Sequence, residues 1–93
     1  MARVIEKATA DEVIEAMFSE LDYAEAKHGE QAHSLATWCL IIQQELDEAK
    51  YGLTGVDGEP HNTKEELLQV LALAFAAIMQ HGVQERLELR RSR

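Results

Sequence analysis

All five glycines and the single proline of this 93-residue chain fall at three places: Gly29, the stretch from Gly52 to Pro60, and Gly82. The runs between these points carry no helix breaker, and their apolar residues recur at helical spacing. In the first run, Thr9-Ala10-Asp11-Glu12 has the form of a capping box, with Thr9 as N-cap and Glu12 reaching back. Val13, Ala16, Met17, Leu21 and Ala24 then mark one face, Lys27 and His28 sit near the end, and Gly29 suits the C-cap. The second helix is expected to start near Ser34 and run to about Gly52, with Leu35, Trp38, Ile42, Leu46, Ala49 and Leu53 as its core stripe. Leu53 to His61 reads as a loop. Asn62-Thr63-Lys64-Glu65 offers a second capping box opening the third helix, which Gly82 ends. The expectation is a single all-α domain over residues 1–93. Residues 1–8 form a lead-in and 83–93 a short fourth helix or tail.

The third helix holds the longest apolar run, Val70 to Met79, ten residues and about half of what spans a bilayer. It therefore reads as a buried helix and not a membrane segment. Its polar residues are few, and Leu67, Leu68, Val70, Leu71, Phe75, Ile78 and Met79 occupy most of its circumference. A helix apolar nearly all round must be covered on most sides, and so short a chain supplies few covering helices. A small helical bundle completed by oligomerisation follows, as a homodimer or homotetramer. The formal net charge of −8 argues against nucleic acid and anionic membranes as partners. The one cysteine, Cys39, permits no intrachain disulfide and suits a reducing compartment. Met1 to Lys7 is too short and mixed for a signal peptide, so a cytoplasmic location is expected.

Two acidic motifs carry the chemistry. Glu45 and Glu48 are three residues apart and share one helix face. They continue the flank line of Trp38 and Ile41, which is otherwise apolar, and carboxylates on such a line are unfavourable without a partner charge. Glu66 and Gln69 repeat the spacing on the third helix. If the two helices pack antiparallel, three carboxylates and one amide converge. Oxygen-only donors of this kind suit a hard cation such as Mg²⁺. The competing reading is a set of solvated helix glutamates. Trp38, one turn before the acidic pair, reads either as a stacking surface for a base or as a core tryptophan. Lys50 and Lys64 flank the motifs, as phosphate contacts or as surface lysines. The four histidines show no zinc-ligand spacing, and Arg86, Arg90, Arg91 and Arg93 form a basic end.

The pairing of Glu45-Leu46-Asp47-Glu48 with Glu66-Leu67-Leu68-Gln69, at this separation and with an apolar run after the second motif, resembles the MazG-like all-α nucleotide pyrophosphohydrolases. The resemblance covers roughly Trp38 to Gln80. It implies Mg²⁺-dependent hydrolysis of a nucleoside triphosphate to the monophosphate and pyrophosphate. Glu45, Glu48 and Glu66 are then catalytic and metal-binding, with Gln69 as a fourth ligand. The biological role it implies is house-cleaning of non-standard nucleotides or control of nucleotide pools. Two positions depart from the family pattern: Gln44, where many members have Glu, and Gln69, where the commonest pattern has Asp. The second exchanges a charged ligand for a neutral carbonyl, which implies weaker or fewer metal ions. It also keeps open an alternative, a catalytically impaired helical oligomer that binds nucleotide or protein. The Ser-Tyr-Thr and Ala-Asp-Leu signatures of the related phosphoribosyl-ATP pyrophosphohydrolases are absent, which ranks that substrate lower.

Overall fold

A computed structural model describes residues 7–54 and 63–86. They form α1 (Ala10–His28), α2 (Leu35–Thr54) and α3 (Thr63–His81), with no strand among the described residues. The predicted capping box opens α1. The Glu12 N–H donates to Thr9 Oγ1 at 3.2 Å and the Thr9 N–H to Glu12 Oε1 at 3.3 Å, which satisfies two otherwise orphaned donors. Gly29 ends the helix at φ 74°, a region that side chains with a Cβ disfavour, with its N–H donating to Glu25 O at 2.7 Å. Gly82 closes α3 the same way, at φ 89°, donating to Ile78 O at 2.8 Å. Ser34 caps α2, its hydroxyl accepting from the Thr37 N–H at 3.2 Å.

α2 extends two residues past the expected end at Gly52, so Leu53 is helical. The remainder of the expected loop, the Asn62 cap, the far part of the expected C-terminal helix, and Arg90, Arg91 and Arg93 lie outside the described residues. Residues 83–86, which are described, are not helical.

α3 packs against both α2 and α1, whose backbones do not meet each other. Its pairing with α2 is antiparallel. Trp38 Nε1 near the start of α2 donates to Gln80 Oε1 near the end of α3 at 2.9 Å, and Thr63 Oγ1 at the start of α3 donates to Ala49 O at 3.3 Å. The buried apolar residues are Met17, Trp38, Ala49, Ala72 and Ala77. Three of these are alanines, which let the helices approach closely but bury little apolar area each. The expected core stripe of α2 is thus buried only in its middle. Leu35 is 55% and Leu53 77% exposed. α3 itself leaves Leu67, Leu71 and Ile78 exposed along one line, and Met79 exposed on its flank beside the hollow that Trp38 and Phe75 line.

Gln80 fixes the α1–α2 connection. Its Oε1 accepts from Trp38 Nε1 and from the His33 N–H at 3.2 Å, while its Nε2 donates to the Gln31 carbonyl. His81 Nε2 donates to the His33 carbonyl at 2.8 Å. The His33 ring meets Trp38 edge to face at 4.8 Å between centroids. Gln80→Leu strands the buried indole N–H and is expected to destabilise the fold by about 1–3 kcal/mol. That corresponds to a fall in Tm of roughly 5–15 °C. Gln80→Glu keeps the acceptor for Trp38 and should fall less. Thermal unfolding of the two variants checks the order.

Candidate metal centre

The antiparallel pairing sets the first turns of α3 beside α2, and the two acidic motifs meet there. Glu45, Glu48 and Glu66 are all half-buried, and one carboxylate oxygen of each lies within 4.8 Å of the others. Among the described residues this is the one group of three metal-ligating side chains gathered so closely. Each glutamate reaches the site from a helix held by its neighbours: Glu45 and Glu48 sit between buried Trp38 and Ala49 on α2, and Glu66 precedes buried Ala72 on α3.

Three like charges in one half-buried place raise the affinity for protons. Burial, then the Glu66 and Glu48 carboxylates beside it, push the Glu45 pKa from 4.5 to about 7. Glu45 Oε2 is buried and accepts no hydrogen bond from any donor among the described residues. A buried carboxylate oxygen without a donor is unfavourable unless a proton or a cation meets it. Oxygens bound to one octahedral Mg²⁺ at about 2.1 Å lie about 3–4.2 Å apart, so the cluster needs only a small side-chain adjustment to reach that spacing. The residues fit a hard divalent cation in donor chemistry and in separation.

A cleft of about 360 Å³ opens beside Glu45, floored by α3 and walled by α1 and α2. Ile41 and Glu45 line it from α2, and Gln69, Ala72 and Leu73 from α3. From α1 and the residues after it come Glu20, Leu21, Tyr23, Ala24, Lys27, His28 and Gln31. The Lys27 ammonium lies over the Tyr23 ring, 5.8 Å from its centroid, so a cation is held in this wall. The α1 wall is absent from the sequence-level site. Glu20, Ala24 and Lys27 recur at helical spacing on one face of α1, a signal that was legible, but nothing local to α1 says which helix it faces.

Gln69 lies one turn along α3 from Glu66, is half-buried, and borders the same cleft as Glu45. Trp38 is 3% exposed and does not line this cleft. It borders an adjoining apolar hollow with Phe75 and Met79, its indole N–H committed to Gln80. Lys50 is exposed, 3.8 Å from Asp47, and Lys64 is exposed on the first turn of α3. Neither lysine lines the cleft.

The fold and site define an all-α chain with a half-buried carboxylate cluster, of which Glu45 also lines a mixed polar and apolar cleft while Glu48 and Glu66 do not. No protein-family model matches the chain, and no curated protein and no solved structure matches it. No helix among the described residues is long and apolar enough to cross a membrane.

Proposed function

We propose that this chain is a Mg²⁺-dependent nucleoside triphosphate pyrophosphohydrolase of the MazG-like kind. The observation that carries the reading is the convergence of Glu45, Glu48 and Glu66 from two helices beside a cleft. These three carboxylates would hold the cation, with the amide of Gln69 next to them. When bound, Mg²⁺ supplies positive charge against the phosphate oxygens and lowers the pKa of water. The chain's own contribution is placement. The half-buried carboxylates, fixed on rigid helices, need little rearrangement to receive a charged group. Lys27, held over Tyr23, adds a second cation to attract a polyphosphate into a protein whose formal net charge is −8. The cleft walls shelter the bond to be broken from bulk water and orient it.

The exposed apolar line of Leu67, Leu71 and Ile78 on α3 supports assembly with further copies of the chain, with a dimer as the smallest unit. Pyrophosphate release is the direct test. The protein, incubated with a panel of standard and modified ribo- and deoxyribonucleoside triphosphates, is expected to release pyrophosphate from at least one of them with Mg²⁺ and from none with EDTA. A folded protein that turns over no triphosphate overturns the reading.

A further inference from the structure

A second hollow, of about 470 Å³, lies between α1 and α3. Phe18 and Leu21 from α1 and Phe75, Ala76 and Met79 from α3 give it an apolar floor. Phe18 and Phe75 meet edge to face, 5.3 Å between centroids, yet Phe18 and Met79 stay exposed. Aromatic and thioether surface gathered in one hollow marks a docking site, where scattered apolar residues do not. Asp22, Glu25 and Glu30 border the same hollow, and no basic side chain among the described residues does. The fitting occupant is therefore apolar on one side and cationic on the other. The chain itself carries such a segment. α3 ends at His81, and Met79 and Gln80 in its last turn line the hollow, so the residues that follow leave from its rim. Arg86 is the last described residue before Leu87-Glu88-Leu89-Arg90-Arg91-Ser92-Arg93.

We infer that residues 87–93 dock on this hollow of their own chain, the leucines meeting its apolar floor and the arginines its acidic rim. Residues 83–93 hold three apolar side chains, four arginines and two glutamates. Extended, these eleven residues reach about 36 Å, more than twice the roughly 15 Å of α1 between Phe18 and His28. The tether, residues 82–86, makes the docking intramolecular, so contacts too weak to hold a free peptide suffice. Burial of the two leucines supplies most of the attraction, and the charges set where the segment lies. Four of the chain's five arginines fall in this segment, and the formal net charge is −8. A second copy approaching the acidic rim with any other face therefore meets it with less positive charge.

The test is photocrosslinking in the full chain, with p-benzoylphenylalanine in place of Leu87. An equal mixture of isotope-labelled and unlabelled protein is irradiated, and the products are mapped by mass spectrometry. The expected crosslinks join residue 87 to Met79, to Phe75 or to the stretch Phe18 to Glu25, within one chain. The combined substitutions Asp22→Lys, Glu25→Lys and Glu30→Lys are expected to lower the yield by about fivefold. Adding Arg90→Glu, Arg91→Glu and Arg93→Glu to that variant is expected to restore it, which a merely structural effect of the lysines would not do. Circular dichroism confirms the helices in each protein. The three arginine substitutions made alone change no residue of α1, α2 or α3 and are expected to lower the yield as much. Crosslinks to other surfaces, no crosslink, or a yield unmoved by the charge reversals overturns the inference. Crosslinks between labelled and unlabelled chains overturn it as well, and assign the hollow to a neighbouring copy.

Discussion

Glu48→Ala is expected to lower Mg²⁺-dependent pyrophosphate release by about 10²–10³-fold, comparable to losing one preorganised electrostatic group from an active site. The expectation follows from the proposed sharing of one cation among three side chains. Glu45 and Glu48 stand one turn apart on α2 and face Glu66 across the helix pair, with oxygens within 4.8 Å. Removing any one leaves the others too few to dehydrate and fix a reluctant ion such as Mg²⁺. The same substitution removes one of three mutually repelling carboxylates. In EDTA the variant should therefore be at least as stable as the wild type. That pairing of outcomes separates a functional cluster from a structural one. Activity loss accompanied by an equal loss of metal-free stability would mean that Glu48 holds the fold together instead. Activity is read by pyrophosphate release and stability by thermal unfolding in EDTA.

The second large effect is the response of stability to Mg²⁺ and its dependence on pH. Glu45 has its pKa raised to about 7 in the folded protein against an ordinary 4.5. The folded state therefore binds this proton more tightly than the unfolded chain. Between pH 4.5 and 7 it carries more protons, so the group's contribution to stability falls as pH rises through that window and levels off above it. A divalent cation at the same oxygens must displace the proton. Mg²⁺ should accordingly stabilise little at pH 5 and fully at pH 8. At a hundredfold excess over its Kd, it should contribute about 2.7 kcal/mol at the higher pH, or roughly 10–20 °C in Tm. Glu45→Gln, which cannot lose a proton, should flatten the metal-free pH slope and reduce the Mg²⁺ effect. Thermal unfolding at the two pH values, with Mg²⁺ and with EDTA, measures all of this. An equal Mg²⁺ shift at both would show that no carboxylate proton is displaced.

The apolar surface of α3 bears on how both measurements are made. Met79 is 73% exposed and Ile78 52% exposed. Faces of this kind make apparent Tm depend on protein concentration when copies associate. Wild type and variants are best compared at one concentration.

Much of this protein was legible without coordinates, because its helices are specified locally. Thr9 and Glu12 lie three residues apart, and the capping box they form needs only that spacing. Gly29 and Gly82 end their helices because residues without a Cβ tolerate positive φ. Glu45, Glu48 and Glu66 were readable as a group because a carboxylate on an apolar helical line is out of place unless something answers its charge. Leu35 and Leu53 share the helical stripe of Trp38 and Ala49 yet lie exposed, since a stripe names a face but not what covers each position on it. The α1 wall, with Lys27 over Tyr23, follows for a related reason only from the way α1 lies on α3. Likewise Gln80 looked like any polar residue at a helix end. Only the packing of α3 between α1 and α2 brings it to Trp38, Gln31 and His33, residues some 40 to 50 positions away in sequence. Helices, their ends and the acidic side chains of the cluster follow from short-range periodicity and charge, which a sequence carries openly. The cleft, the bonds that Gln80 makes and the exposed line of α3 depend on how the helices lie against one another, and the tertiary structure alone decided these.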